Sequence, residues 1–135
     1  MKLVIIEPLG VEEDKLMEIA HKALPDSIEI ISYQTKVTDT ESLIERGKDA
    51  DIIMVANLPL NADVIKGCKN LKMLAVAFTG IDHISKDACK EQGIMVCNCA
   101  GYSNAAVSDL VFGLLISLYR NIISCNEVVR KEGTK

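Results

Sequence analysis

Loops that cradle phosphate need clustered glycines, because the backbone must approach the phosphate without a Cβ in the way. The eight glycines of this 135-residue chain stand at 10, 47, 67, 80, 93, 101, 113 and 133, and the closest pair is eight apart. Neither G-x-G-x-x-G nor G-x-x-x-x-G-K-[ST] occurs, so these residues hold no self-evident dinucleotide or nucleoside-triphosphate site. One glycine stands in a more suggestive place. In Thr79-Gly80-Ile81-Asp82 it follows an apolar run and precedes a helical segment. Such a loop can turn consecutive backbone N–H groups outward into a small anion-binding nest suited to a carboxylate. Alternatively Gly80 makes a tight turn and Asp82 caps the next helix. Spacing alone favours the turn.

Other candidates carry less. Tyr102 precedes a long helical segment whose N-terminus favours anions; taken alone it reads as a packed edge aromatic. The two imidazoles are His21, on an amphipathic segment and read as a surface residue, and His83, read as structural. With three arginines (Arg46, Arg120, Arg130), no Ser–His–Asp or Cys–His set assembles, so no catalytic residue is assigned. The five cysteines (68, 89, 97, 99, 125) read as free, small buried hydrophobes in a reducing compartment. The closest pair, Cys97-x-Cys99, lacks the spacing of zinc knuckles, and no metal site is expected.

Short apolar runs must position these residues. Lys2–Ile6, Ile28–Tyr33, Asp51–Ala56, Lys72–Phe78 and Ile94–Cys97 read as strands, separated by helical segments at 11–24, 38–47, 61–68 and 82–92. The third and fourth runs are continuously apolar, so both of their faces should be covered, as in a parallel sheet between helices. A small doubly wound α/β domain follows. Ligands in such sheets sit beyond the carboxyl ends of the strands, here Glu7-Pro8, Asn57-Leu58-Pro59, Phe78 to Asp82 and Asn98 to Ser103.

From Ser103 to about Lys131 only Gly113 interrupts helix-forming residues. Those 29 residues would make a rod of roughly 44 Å. A compact body of 100 residues is only about 33 Å across, so the helix must overhang its own domain or break. Residues 110–118 are apolar nearly all round and need a partner on the face that the strands cannot cover. A self-associating helix is expected.

Apolar residues at 49%, charged residues at 25% and a net charge of −4 describe an ordinary globular domain and argue against nucleic-acid binding. No secretory leader pattern is apparent, and the apolar stretch at 110–118 is short of a bilayer span. A cytoplasmic protein without membrane contact is expected.

From Asn70 onward the order of motifs is informative. Asn70-Leu71-Lys72-Met73-Leu74, Thr79-Gly80-Ile81-Asp82-His83-Ile84, Gly93-Ile94-Met95-Val96-Cys97-Asn98, Tyr102-Ser103, Ala106-Val107-Ser108-Asp109 and Leu118-Tyr119-Arg120-Asn121-Ile122 closely resemble the D-isomer-specific 2-hydroxyacid dehydrogenases. The resemblance is weak before residue 50 and strong over 70–125. It implies a flavodoxin-like substrate domain of about five parallel strands over residues 1–101. A long interdomain and dimerisation helix would follow over 102–132. The family's NAD-binding Rossmann domain, its glycine fingerprint and its catalytic Arg, Glu and His would come after the present residues. A chain without them is expected to be catalytically silent.

The resemblance also implies site residues. The loop matching Thr79-Gly80 would hold the carboxylate of a 2-hydroxy or 2-oxo acid, with Thr79 near the nicotinamide. Tyr102 would close over the substrate, and Asn57-Leu58 would help select its side chain. Val107 would face the nicotinamide side, and Asp109 replaces the family's usual Glu with one methylene less. The cofactor of the whole enzyme would be NAD or NADP, and the helix over 103–131 would form a homodimer. The rival reading is a stand-alone dimeric module that binds a small carboxylate. A receiver-type signalling domain is disfavoured, because Asn57 and Asn98 stand where it needs Asp and Lys.

Overall fold

Five parallel strands in the order β2-β1-β3-β4-β5 form one sheet in the computed structural model, which describes residues 1–133. The strands are β1 (Lys2–Ile5), β2 (Glu29–Ser32), β3 (Ile52–Val55), β4 (Met73–Val76) and β5 (Met95–Asn98). Helices α1 (Glu13–Ala23), α2 (Thr40–Gly47), α3 (Ala62–Gly67) and α4 (Lys86–Gln92) connect them in turn. The expected α/β architecture is therefore present; β1 to β4 are one to three residues shorter than their apolar runs, and β5 is shifted by one residue. Strand order reverses between β1 and β3, where Leu3, Val4 and Ile5 lie beside Ile52, Ile53 and Met54.

The chain divides into two compact units, Met1–Ala100 and Gly101–Lys135. In the first, β3 and β4 alternate between buried and half-buried residues. Their continuous apolar runs thus overstate the cover: one face is sealed and the other only partly. The sealed face carries Val4, Ile53, Val55, Leu74 and Val76. It shares one core with Leu43 of α2, Val64 and Ile65 of α3, and Ala88 and Cys89 of α4. Helices α2, α3 and α4 pack side by side. At Gly47 the packing is close: a Cβ would meet Cys68 Sγ at 2.8 Å and Ile53 Cδ1 at 2.9 Å.

Local signals set the helix ends. Asp39 and Asn61 accept the N–H groups of Ser42 and Val64 as N-caps. Gly93 closes α4 in the left-handed conformation. Helix α4 starts four residues later than its apolar pattern suggests. Asp82 caps nothing; it is exposed and pairs with Lys86 at 3.2 Å.

The second unit corrects the expectation of one continuous rod. Helix α5 (Asn104–Tyr119) and helix α6 (Ile122–Glu132) are separate, with a 57° bend between Asn104–Tyr119 and Ile122–Lys131. The break lies at Asn121, whose φ of +54° is left-handed, a conformation that Asn tolerates better than most residues. Gly113 is carried inside α5, as a tolerated glycine would be. Within this unit no residue of α5 is buried. Among the described residues no single helix is long and apolar enough to cross a membrane; α5 and α6 together meet the length and composition but are bent.

Only two of the five cysteines fit the reading of buried hydrophobes. Cys68 and Cys89 are buried, whereas Cys97, Cys99 and Cys125 are exposed. The reason is position: Cys97 belongs to the edge strand β5 and Cys125 to α6. Burial pushes the Cys68 thiol up to about 11 and raises Cys89 as well, which leaves both unreactive.

At the amino end of the sheet, Asp51 ties three segments together. Its carboxylate accepts from Lys2 N at 2.8 Å and from Lys72 Nζ at 2.6 Å. The Lys72 hydrogen bond, then the Lys2 amide, hold its pKa below the usual carboxylate range. A carboxyl depressed in the folded state stabilises above its unfolded value, about pH 4, and loses that contribution as pH falls through the folded value. Urea titrations of the parent and Asp51→Asn should therefore differ at pH 7 with the parent more stable, and the difference should shrink as pH falls below the ordinary carboxylate range, about pH 4. A constant difference across that range would remove Asp51 from the acid sensitivity of the fold.

Candidate functional site

The carboxyl ends of β1, β3 and β4 carry the loops in which a ligand is expected. Glu7 follows β1 and is 3% exposed, the one buried charged side chain among the described residues. Its Oε1 accepts the backbone N–H groups of Ala56, Asn57 and Leu58 at 2.9, 2.9 and 2.8 Å. Its Oε2 lies 3.8 Å from Lys36 Nζ. A carboxylate in this position acts as a built-in anion: three consecutive amides that could have faced a phosphate converge on it instead. The crevice at the strand-order reversal, where doubly wound sheets commonly bind nucleotides, is thus closed by the protein itself. The sequence places Glu7-Pro8 at a ligand-bearing strand end but assigns the Glu7 side chain no role. The missed signal was an acid directly after a buried strand, at the crossover of the sheet.

The next pair of loops is joined backbone to backbone. Leu60 N donates to His83 O and Ser85 N to Leu60 O, both at 3.0 Å, forming an isolated parallel bridge between Leu60 and Ile84. The loop after β3 and the turn after β4 are therefore held side by side. His83 is half-buried, its Nε2 enclosed and without a hydrogen-bond partner among the described residues. His21 is exposed on α1, as expected.

Within this frame the expected residues divide. Asn57 is exposed, and Leu58 is fully buried in the core. Leu58 therefore presents no side chain to a ligand; its part is to anchor the loop that displays Asn57. Thr79 and Gly80 are both exposed at the end of β4. Their carbonyl side is fixed from β5: Asn98 Nδ2 donates to Thr79 O at 2.7 Å, and Cys99 N donates to Phe78 O at 3.0 Å. The amides of Thr79 and Gly80 donate to no acceptor among the described residues. Gly80 lies outside the left-handed region, and a Cβ there would meet nothing within 4 Å. The turn thus does not require glycine for its backbone. What glycine provides is open space where a Cβ would stand, beside two unpaired donors.

Tyr102 and Val107 belong to the second unit, Tyr102 before α5 and Val107 in its first turn, and both are exposed. No group of His, Cys, Asp and Glu capable of holding a metal ion occurs among the described residues. The residues present do not fit a dinucleotide. The turn after β1 is Glu7-Pro8-Leu9-Gly10, without clustered glycines, and Glu7 holds the amides at the switch point.

Comparison with known proteins converges on one family. Residues 3–131 match the family described as D-isomer specific 2-hydroxyacid dehydrogenase, catalytic domain. A glycerate dehydrogenase of Methylorubrum extorquens is 40% identical over 91 residues, covering 67% of this chain and 29% of that protein. A hydroxypyruvate reductase of Blautia hydrogenotrophica is 29% identical over 131 residues, 97% of this chain and 40% of its own length. Among solved structures, an acyclic imino acid reductase in complex with NADPH and D-Arg superimposes with a TM-score of 0.78 at 30% identity, covering 97% of this chain and 41% of that one. The chain thus spans less than half the length of each of these relatives.

The Glu7 contacts yield a direct test. Glu7→Ala would leave three amides without their acceptor, at a cost of roughly 2–4 kcal/mol in chemical denaturation. Glu7→Gln keeps a carbonyl oxygen at the Oε1 position and should lose less. Hydrogen exchange at the Leu58 amide should accelerate in Glu7→Ala before global unfolding; unchanged exchange would show that the loop does not depend on Glu7.

Proposed function

This chain belongs to the D-isomer-specific 2-hydroxyacid dehydrogenases through their catalytic domain, and on that premise we propose that it binds the carboxylate of a small 2-hydroxy or 2-oxo acid at Thr79-Gly80. The observation that carries the reading is that the Thr79 and Gly80 amides donate to no acceptor among the described residues, with open space where a Cβ would stand at Gly80. Two N–H donors side by side match the two oxygens of a carboxylate. Asn57, displayed beside this loop by the Leu60–Ile84 bridge, contacts the substrate beyond its carboxylate. In the whole enzyme the family resemblance gives Tyr102 a role toward the substrate and Val107 one toward the nicotinamide.

In that enzyme, hydride transfer between substrate C2 and a nicotinamide, NAD or NADP, is the chemistry of the oxidoreductase family. The contribution of residues 1–135 is to orient the substrate carboxylate, which lowers the entropic cost of reaching the reactive arrangement. They supply neither the dinucleotide cradle nor the acid–base group.

The test is a titration with pyruvate and glyoxylate followed by backbone amide resonances. Shifts should centre on Thr79 and Gly80. Gly80→Val should weaken binding roughly tenfold or more while leaving the melting temperature unchanged, because its Cβ enters open space. Equal affinity in parent and Gly80→Val would overturn the assignment.

The second role is self-association through the second unit. Leu110, Phe112, Leu114 and Leu118 are each more than half exposed there, a concentration of apolar surface larger than soluble monomers usually carry. We propose a second copy of the chain as its cover, giving a two-fold dimer. Sedimentation at high concentration should yield a dimer mass, and Leu114→Lys with Phe112→Lys should shift it to monomer. A parent that sediments as a monomer at every concentration would exclude this role.

A further inference from the structure

Cys97 and Cys99 flank Asn98, and Asn98 and Cys99 hold the Thr79-Gly80 loop. Asn98 Nδ2 reaches Thr79 O at 2.7 Å. Cys99 N reaches Phe78 O at 3.0 Å, continuing the ladder one residue past β5. Both cysteines are exposed and free. Their side chains share one sheet face, since successive residues of extended backbone alternate. Both line a shallow hollow of about 110 Å³ with Ala75, Val76, Ala77 and Asn98.

We propose that Cys97 and Cys99 form a thiol modification site that hydrogen peroxide oxidises to an intrachain disulfide, releasing the loop after β4. One thiol sulfur attacks the peroxide oxygen; the O–O bond breaks, water leaves and a sulfenic acid forms. The second sulfur then displaces the hydroxyl from the sulfenic sulfur, forming the S–S bond and a second water. The two thiols lose two electrons, and the peroxide is reduced by them.

Geometry couples this chemistry to the loop. Extended backbone separates residues i and i+2 by about 6.7 Å with parallel side chains, whereas a disulfide needs Cβ atoms about 3.5–4.5 Å apart. Closing the bond therefore draws Asn98 out of the extended conformation. That movement is incompatible with keeping both hydrogen bonds to Thr79 O and Phe78 O. The reduced pair and the ordered loop go together. The two thiols buried in the core, Cys68 and Cys89, stay out of the reaction because burial raises both. The consequence for ligand affinity rests on the carboxylate reading of Thr79-Gly80; the loop release itself does not.

The experiment uses the 135-residue chain carrying Cys125→Ser, which removes the remaining exposed thiol. Hydrogen peroxide should lower the intact mass by about 2 Da, reversibly with dithiothreitol, and peptide mapping should place the bond between 97 and 99. Cys97→Ser and Cys99→Ser should each abolish the mass loss. In the oxidised form the Cys99 amide should exchange roughly tenfold faster than in the reduced form, while amides of β1 and β3 keep their protection. Only mixed dimers or higher sulfur oxides, or an intrachain disulfide with unchanged exchange at Cys99, would overturn the proposal. Exchange needs no substrate, so its outcome is independent of whether 2-oxo acids bind. Loss of pyruvate shifts on oxidation would add the functional link, and their persistence would confine the effect to the loop.

Discussion

The carboxylate of Glu7 is the constraint on which the arrangement of the carboxyl-end loops depends. A parallel sheet with a strand-order reversal leaves a crevice between β1 and β3, lined by amides that have run out of ladder partners. Burying those amides unpaired would be costly, and water or a ligand anion is the usual remedy. Here the remedy is covalently part of the chain. Glu7 collects the N–H groups of Ala56, Asn57 and Leu58 on one oxygen, and its burial is made tolerable by those bonds and by Lys36. The β3 loop thereby becomes a rigid wall, with Leu58 locked into the core and Asn57 displayed outside it.

The consequences pass from strand to strand. Because the loop after β3 is rigid, Leu60 can form a single bridge to Ile84 and so fix the turn after β4. The other side of that turn is held from β5, through Asn98 and Cys99. Thr79 and Gly80 are left between two supports with their own amides unpaired. On the proposed carboxylate reading, the anion site stands at β4, one strand along the sheet from the crossover. A small anion needs two donors and space, whereas a pyrophosphate needs a helix N-terminus with clustered glycines.

How far the sequence could be read differs from element to element. Apolar runs of β-branched residues located all five strands, since burial in a parallel sheet demands them. They overstated the cover of β3 and β4, because a continuous run also fits a strand with one sealed and one half-open face. The break at Asn121 was not legible: its neighbours are all compatible with a helix, and the left-handed conformation is a choice that Asn permits without requiring. Similarly, Asp82 has the side chain of a cap but lies four residues ahead of α4. The cysteines were misjudged for a related reason, as composition says nothing about which strand forms the edge of a sheet.

The sequence by itself determined the class of the fold, the family and the position of the Thr79-Gly80 loop, because these follow from local patterns: runs of apolar residues, their spacing, and ordered motifs between 70 and 125. The tertiary structure alone decided that Glu7 is an internal anion rather than a strand boundary, that Leu58 is core while Asn57 is display, and that Asn98 and Cys99 brace the loop. Each of these depends on contacts between residues 19 to 51 positions apart. Such contacts exist only once the order of strands has brought distant carboxyl ends together, and no local pattern encodes that order.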